Sequence, residues 1–420
     1  MTSLCAKTGY RNIDVDQLVA RAGVARDDYD QLFANKEECF LAAMSTAATR
    51  LLEDVREAMQ ISATKGACEA IASAMAKFSA CRQPDARLIF WESLRGGAQI
   101  RRERRLLLDE LAVTLDHARR EAPYWSIGPD LPSRLICSNT ARLLGRRLRR
   151  RQPLDEPSAE IIAWLRLYEA PTADHRWSSL IAPRIPKPSP FLPRGRLGVP
   201  STASASSKTP SSTTTDDEWL RMVFATAELI HRVGYEAATT EEILHRSKVD
   251  RRTFEATFPD KRDAFLAAQG MLFRHLTAAS AGAFATGDSW ATRLWEAVRA
   301  LTQCAEQNAM LTQVSLLESC ASGEDGNGLA QDVTAAFAMF LREGDQARRA
   351  GYTTVPDGLL DAVIAGIAEL AVEQIEADPE APLTDLFARV VFLCTAPFIG
   401  GAAATELALQ PSSAPAAATR

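Results

Sequence analysis

Hydrophobic residues recur every three to four positions through most of the chain, which is the spacing of one face of an α-helix. Between residues 219 and 233 the apolar positions fall at this spacing, and Gly234 follows as a helix stop signal. Thr239-x-x-Glu242 and Asp14-x-x-Gln17 have the pattern that caps a helix N-terminus. No stretch alternates apolar and polar residues between hairpin turns. The pattern therefore predicts an all-α protein.

The apolar periodicity stops between residues 172 and 215. This segment is rich in proline and contains a run of serine, threonine and alanine that begins at Ser201. Such a composition buries too little apolar surface to offset the entropy lost on ordering. It predicts a linker at 172–215, and we also expect a disordered tail at 406–420.

The segments on the two sides of the linker repeat each other. Gly9-Tyr10 corresponds to Gly234-Tyr235, 225 positions later, and Glu92-Ser93 corresponds to Glu318-Ser319, 226 positions later. A register that drifts by one residue over such a length is hard to obtain by chance. We interpret it as a duplication of about 200 residues, which is too long a period for a solenoid.

Composition and charge narrow the class of protein. The 420 residues are 46% hydrophobic and 24% charged, as in ordinary globular proteins. The net charge of −5 gives no global basic field, so any contact with DNA has to come from a local patch. The eight cysteines form no CxxC pair, which is typical of reduced thiols. No signal pattern or membrane-length apolar stretch is present, so we expect a soluble, cytoplasmic protein without membrane contact.

Each copy contains the pattern of a helix-turn-helix (HTH). In the second copy, the helix that follows Thr239 is succeeded by a short break, a short helix from about Asp250 to Phe258, and another helix from Lys261. In an HTH the first helix braces against the DNA backbone, and the second helix presents side chains to base edges in the major groove.

These residues resemble the TetR family of bacterial regulators. The matching positions are Gly9-Tyr10, 18–24, Tyr29, Phe33 and Lys36 in the first copy, and Gly234-Tyr235, 243–249, 251–254, Phe258 and Lys261 in the second. The resemblance implies two tandem TetR-like modules, each an N-terminal HTH domain followed by a C-terminal helical effector and dimerisation domain. The expected domains are 1–45 (first HTH, truncated and degenerate), 46–171 (first helical domain), 172–215 (linker), 216–271 (second HTH), 272–405 (second helical domain) and 406–420 (tail).

We expect DNA contacts mainly from the second HTH. The candidate residues are Thr239, Thr240, Lys248, Arg251, Arg252, Thr253 and Lys261, with Arg26 and Lys36 from the first HTH. Among them, 251–253 would face the groove and Lys261 would meet a phosphate. Lys248 stands where the family's pattern has a turn glycine, which carries an energetic cost if that residue is left-handed.

The first HTH departs further from the pattern. Its turn and second helix contain Asp27, Asp28 and Asp30, which make the local charge negative and repel phosphates. Only eight residues precede Gly9, so the helix that corresponds to 219–233 of the second copy is shortened. Either the true start lies upstream or this HTH has decayed. Asp30 and Glu255 also stand where the resemblance places a phosphate-contacting tyrosine.

Other motifs carry weaker interpretations. The pair Arg251-Arg252 on its own also fits a solvated surface, and the arginine-rich run at 146–151 fits a solvated or interface face better than a DNA contact. The five histidines show no metal-ligand spacing, and no phosphate loop or nucleophile motif occurs. We therefore expect no metal, no cofactor and no enzymatic activity.

The helical domains would bind a small-molecule effector and pair with one another, as the resemblance implies. Candidate residues lining an effector pocket are Phe90, Trp91, Leu94, Trp125, Leu316 and Leu317, although each singly also fits a plain core position. The family forms homodimers, so the two halves could pair within one chain as a pseudo-dimer or between two chains. The first possibility is favoured by opposite charges at Arg146, Arg147 and Arg150 and in the neighbourhood of Glu369, Glu373 and Glu376.

The function predicted from the sequence is that of a DNA-binding transcriptional regulator, a repressor by the family's common outcome, controlled by an effector. The alternative is a regulator-derived helical protein that senses a ligand or binds a partner and has lost DNA binding.

Overall fold

The structure is a computed structural model that describes residues 1–61, 66–121, 131–154, 157–168, 177, 180, 215–318, 334–347 and 355–410. All regular secondary structure in these ranges is helical, and none of them contains a strand. The all-α prediction is thus confirmed. The expected linker lies almost wholly outside the described residues.

The chain divides into two compact units. Unit 1 comprises Met1–Trp177 and Gly351–Leu370, and unit 2 comprises Ser178–Ala350 and Ala371–Arg420. The residues 351–370 of unit 1 therefore come from the second half of the sequence.

Unit 1 begins with the helices of the first HTH and continues into longer helices. These are α1 (Thr2–Thr8), α2 (Val15–Ala22), α3 (Arg26–Leu32), α4 (Lys36–Ile61), α5 (Ala67–Cys81), α6 (Gln83–Phe90), α7 (Ala98–Glu121), α8 (Ser133–Arg149) and α9 (Pro157–Arg166), with 3₁₀ turns at Tyr10–Asn12 and Glu92–Arg95. The first HTH packs around Tyr10, Leu18, Tyr29 and Phe40, all of which are buried. The capping box expected at Asp14 and Gln17 is present at the start of α2.

Unit 2 repeats this order with a longer first helix. Its helices are α10 (Asp216–Val233), α11 (Thr240–Ser247), α12 (Arg251–Thr257), α13 (Lys261–Phe284), α14 (Trp290–Gln307), α15 (Ala309–Leu317), a helical stretch at 334–342, α16 (Gly344–Ala347), α17 (Asp357–Ala377, shared with unit 1), α18 (Phe387–Ile399) and α19 (Gly401–Ala408), with a 3₁₀ turn at Leu383–Leu386. The second HTH packs around Tyr235, Ile243, Phe254, Phe258 and Phe265.

The C-terminal bounds differ from those expected. Helix α19 extends to Ala408, and both Leu407 and Ala408 are buried, so ordered structure passes the expected boundary at 405. Pro397 lies inside α18 near its C-terminal end, and the helix ends two residues later, where Gly400 has φ 80°. In the parts of the chain that the structure describes, no helix is both long and apolar enough to cross a membrane.

Candidate nucleic-acid interface

Helix α11 is held at both ends by side chains. Thr239 is its N-cap and accepts a hydrogen bond from the Glu242 amide at 3.3 Å. At the other end, Arg221 of α10 donates to the carbonyl oxygens of Ser247 at 3.0 Å and Lys248 at 3.4 Å. A guanidinium group at this position satisfies helix C-terminal carbonyls and suits the negative end of the helix dipole. Sequence reasoning missed Arg221 because its partners lie 26 and 27 residues away.

The turn between α11 and α12 requires a left-handed residue. Lys248 has φ 54° and ψ 39°, in the left-handed region that most side chains avoid. Its counterpart in the first HTH is Gly23, with φ 70° and ψ 30°. The lysine side chain is exposed at the turn, so the strained position also carries a positive charge on the surface.

Helix α12 buries one face and exposes the other. Phe254 and Thr257 are buried, whereas Arg251, Arg252 and Glu255 are exposed. Its N-cap is Asp250, whose carboxylate accepts the Thr253 amide at 3.0 Å and the Thr253 hydroxyl at 2.8 Å. These two bonds lower the pKa of Asp250 below its ordinary value. Since the Thr253 hydroxyl proton is donated to Asp250, the hydroxyl has to leave Asp250 before it can donate to a base or a phosphate.

The two exposed arginines have different surroundings. Arg251 forms ion pairs with Glu241 at 2.8 Å and Glu255 at 3.4 Å, and these contacts raise its pKa. Among the described residues, the Arg252 guanidinium makes no hydrogen bond or ion pair. The two carboxylates therefore offset the charge of Arg251, whereas the charge of Arg252 is not offset by an ion pair within the described residues.

The Lys261 ammonium group contacts backbone carbonyl oxygens of its own HTH. It donates to the carbonyl oxygens of Tyr235 at 2.8 Å, Glu236 at 3.3 Å and Ala238 at 2.7 Å, and it lies 4.7 Å from the centroid of the Tyr235 ring. An ammonium group has three protons, and all three are used. Lys261 therefore joins the start of α13 to the loop before α11, and it has no proton left for a phosphate.

Comparison with known proteins adds a direct match to this segment. Residues 224–268 match the family model described as bacterial regulatory proteins of the tetR family. This segment is therefore similar in sequence to the DNA-binding domain of that family. The match covers the second HTH alone, so the tandem arrangement stays a prediction.

Two solved structures are also similar to parts of the chain. One is the fatty acid degradation regulator FadR from Bacillus halodurans, at 15% identity and a TM-score of 0.38, over 44% of this chain and 96% of that one. The other is a protein assigned to the TetR-family transcriptional regulators of Syntrophomonas wolfei, at 13% identity and a TM-score of 0.38, over 44% of this chain and 95% of that one. No curated protein matches the chain.

The first HTH contains a lysine contact of the same kind as that of Lys261. The Lys36 ammonium donates to the carbonyl oxygens of Tyr10 at 3.2 Å and Ile13 at 3.0 Å, and it lies 4.6 Å from the centroid of the Tyr10 ring. Lys36, like Lys261, therefore joins backbone segments of its own HTH. Arg26 is also committed, since it forms ion pairs with Asp16 at 2.8 Å and Asp30 at 3.0 Å.

The surfaces of the two HTH segments differ in charge. Residues 14–38 contain seven carboxylates and three basic residues, whereas the aligned TetR-family residues 239–263 contain six of each. The second helix of the first HTH also exposes Leu32, at 73% of its full surface. An acidic helix with an exposed leucine is poorly suited to a polyanion.

The residues expected to line an effector pocket fall into three groups. Phe90 and Trp91 are buried, and the Arg149 guanidinium lies 5.3 Å from the centroid of a Trp91 ring. Leu94, Leu316 and Leu317 are half-buried. Trp125 lies outside the described residues.

The described residues contain no cluster of three or more histidine, cysteine or acidic side chains that could hold a metal ion. Burial raises the pKa of Cys5 and of Cys394 to about 12, so both thiols stay protonated near neutral pH.

Proposed function

We propose that this protein is a DNA-binding transcriptional regulator that contacts duplex DNA through its second HTH. The supporting observation is the exposed face of α12, where Arg252 is unpaired among the described residues and Arg251 is held only by surface ion pairs. Surface ion pairs contribute little, so Arg251 can exchange a carboxylate for a phosphate or a guanine at low cost. The buried Phe254 on the opposite face fixes the helix against its neighbours.

The first HTH is proposed to make no DNA contact of its own. Its carboxylates outnumber its basic residues, and Arg26 and Lys36 are both engaged within the protein. A chain with one competent HTH would bind a single half-site or an asymmetric site. A palindrome would require two chains, each supplying its second HTH.

The test is selection of bound fragments from genomic DNA, followed by binding titrations at several salt concentrations. We expect a steep loss of affinity with salt, which is measured as the slope of log affinity against log salt concentration (the salt slope). Arg251→Ala combined with Arg252→Ala should reduce both the affinity and the salt slope. The matched control is Arg21→Ala combined with Arg26→Ala in the first HTH, which should leave both quantities unchanged. Binding by the 251/252 variant that equals the wild type would overturn the proposal.

A second candidate function is a helical receptor that has lost DNA binding. It is favoured by the ion pairs of Arg251 with Glu241 and Glu255, which place two carboxylates beside the helix that would enter the groove. The same titration separates the two functions, because a receptor of this kind would bind no fragment with a salt-dependent affinity.

We further propose that the helical domains bind a small-molecule effector and that the outcome of DNA binding is repression. The half-buried Leu94, Leu316 and Leu317 are the candidate pocket residues with surface left for a ligand. An apolar fluorescent probe, 8-anilinonaphthalene-1-sulfonate, should bind the folded wild type and lose affinity in Leu94→Trp and Leu316→Trp. Transcription of a reporter behind a selected fragment should fall when the protein is present, and a rise would contradict repression.

We also propose that residues 357–370 pack against α8 where, in a homodimer, α8 of a second subunit would pack. Within unit 1, the Asn139 side chain donates to the carbonyl oxygen of Ala362 at 3.2 Å, Arg142 pairs with Glu369, and Arg146 lies 3.7 Å from Asp361. A second copy of α8 would instead bring arginines against arginines, so the charges favour the unlike pair. The ion pairs differ in detail from those expected, since Arg147 pairs with Glu160 inside the first half.

A further inference from the structure

Four positions of the first HTH are more exposed than their counterparts 225 residues later in the second HTH. We call these positions the open face: Ala22, Val24, Leu32 and Phe33. Val24 is 44% exposed and Leu32 is 73% exposed, while Ala22 is exposed and Phe33 is half-buried. The four counterparts are all buried: Ser247, Val249, Thr257 and Phe258. The second HTH therefore has a cover over this surface that the first HTH lacks.

The cover of the second HTH is the N-terminal part of α10. Trp219 lies in one buried cluster with Val249 and Phe258, and the ring centroids of Trp219 and Phe258 are 6.4 Å apart. On the same turns of α10, Arg221 donates to the two carbonyl oxygens at the end of α11, at 3.0 Å and 3.4 Å. The start of α10 thus lies over the turn of the second HTH and over α12.

Helix α1 supplies only the other part of such a cover. At the offset of 225 residues, Thr2–Thr8 corresponds to 227–233 of α10, so α1 does not reach the positions that 216–226 occupy in the second HTH. The carbonyl oxygens of Ala22 and Gly23 stand in the places of the two Arg221 acceptors. Among the described residues, no side chain donates to them.

The first HTH is anchored without these turns. Tyr10, which follows α1, donates its amide proton to the buried carboxylate of Glu92 at 3.0 Å. Gly9 permits this approach, since it has φ 77° and a Cβ placed on it would lie 3.6 Å from the Glu92 carboxylate. Gly234 has φ 81°, and a Cβ placed on it would lie 3.9 Å from the Glu318 carboxylate. The open face is therefore preformed, which lowers the entropy that binding to it would cost.

Charge narrows the kind of helix that fits the open face. Asp28 lies one turn before Leu32 on α3, and Asp27 is its neighbour. Both carboxylates are exposed, and neither forms a hydrogen bond or an ion pair within the described ranges. Exposed apolar side chains bordered by carboxylates favour a partner that carries basic residues beside an apolar stripe.

We propose that the open face is a docking site for a cationic amphipathic helix of a partner protein, which would lie where 216–226 lies over the second HTH. Such a helix presents an aromatic side chain to Leu32 and Phe33 and an arginine to the carbonyl oxygens that end α2, in the manner of Trp219 and Arg221. Aromatic and arginine side chains are the anchors that contribute most to such helix-in-groove contacts. The docking does not rest on DNA binding by the second HTH.

The test uses the full chain and two fluorescently labelled peptides. The acidic probe has the sequence of residues 215–226. The basic probe has the same sequence with Asp216→Lys, Asp217→Lys and Glu218→Lys, so both probes carry the same aromatic residue and the same arginine. Fluorescence anisotropy measures the affinity of each probe at low and at high salt.

Variants of the chain locate the binding surface. Val24→Ser and Leu32→Ser remove apolar surface from the open face without changing its charge. The matched controls are Leu106→Ser and Val113→Ser, which remove exposed apolar surface from α7 of the same unit. Circular dichroism checks that all four variants keep the helical content of the wild type.

We expect the basic probe to bind the wild type and both α7 controls equally, and to lose affinity about tenfold in Leu32→Ser. Val24→Ser should lose affinity in the same direction. The acidic probe should bind about threefold more weakly than the basic probe at low salt, and the difference should shrink as salt is added. Hydrogen exchange at the amides of α3 should slow when the basic probe binds, while that of α12 stays unchanged.

Three outcomes would overturn the proposal. Absence of binding, or equal binding of the basic probe to the wild type and to Leu32→Ser, would show that the open face is no docking site. Equal affinity of the two probes at low salt would remove the cationic partner. A wild type that forms dimers, with Leu32→Ser returning it to the mass of one chain, would show that a second copy occupies the face instead.

Discussion

Lys248 and Gly23 occupy the same left-handed turn of their respective HTH segments, with φ 54° and φ 70°. A lysine in this conformation is strained by about 1 kcal/mol, because its Cβ crowds the following carbonyl oxygen. The second HTH therefore keeps a cationic side chain at the turn at the expense of local stability.

Replacing Lys248 by glycine should stabilise the second HTH and weaken its binding to DNA. We expect a gain of about 0.5–1 kcal/mol in the free energy of opening, since the strain is relieved and only part of the gain is lost to the extra freedom of the unfolded chain. Hydrogen exchange of the α11 amides measures the gain. Lys248→Ala removes the same charge without relieving the strain, so equal stability of the two variants would contradict the argument.

Removing the carboxylates beside Arg251 should strengthen DNA binding. Glu241→Gln and Glu255→Gln each leave Arg251 with one ion pair fewer and raise the local charge, so we expect affinity to rise about threefold to tenfold at low salt. Titrations at two salt concentrations measure the effect. Asp30→Asn releases Arg26 in the first HTH in the same way, and a comparable rise there would show that the first HTH also contacts DNA.

Loss of the Lys261 ammonium group should act on stability. Lys261→Gln gives up the contacts with three carbonyl oxygens and should destabilise the second HTH by about 2 kcal/mol. DNA affinity should fall with the folded fraction, while the salt slope stays that of the wild type. A slope reduced by about one unit would instead identify Lys261 as a phosphate contact.

Lys36→Gln is the matched variant in the first HTH, where the ammonium group contacts two carbonyl oxygens. It should speed hydrogen exchange at the amides of α2 and leave DNA affinity unchanged.

Reversing the charges of the Arg142–Glu369 pair tests whether residues 357–370 pack against α8. Arg142→Glu places two carboxylates together at a site where Glu369 is buried, and it should cost about 3 kcal/mol. The double variant Arg142→Glu with Glu369→Arg should recover most of this loss, as followed by thermal unfolding. Light scattering of the dilute wild type should give the mass of one chain, and a mass of two chains would argue against pairing within the chain.

Acid should destabilise the protein in part through His275. Burial lowers the pKa of this half-buried histidine below its ordinary value of 6.5, and the neighbouring Arg274 lowers it further. The unfolded chain therefore binds the proton first, so stability falls as the pH drops from about 6.5 to the lowered pKa and is unaffected above that range. His275→Gln should reduce this loss, which denaturant titrations at pH 5 and pH 7 would detect.

The sequence predicted what depends on local patterns. The helical class, the caps at Asp14 and Thr239 and the stop at Gly234 follow from spacing within a few residues, and the structure contains all of them. The left-handed turn was anticipated because Lys248 stands where the pattern has a glycine.

Contacts between distant residues were not predictable in this way. The sequence gives Lys261 a charge but does not reveal the three carbonyl oxygens, which lie 23 to 26 residues away. The sequence likewise does not reveal that Glu241 pairs with Arg251, because Glu241 precedes it by ten residues and meets it only once α11 and α12 are packed together. Glu92 and Glu318 were recognised as a repeated pair, but only the fold brings each carboxylate to its glycine.

The Lys36 ammonium group contacts the backbone of its own segment, and this affects which substitutions the segment can accept. Because the first HTH is secured by contacts among its own residues, its fold does not depend on any nucleic acid. We expect acidic or apolar substitutions on the outer side of α3 to leave the segment folded, because the Lys36 contacts lie elsewhere. The shape of such a three-helix unit can then persist with or without a contact to nucleic acid.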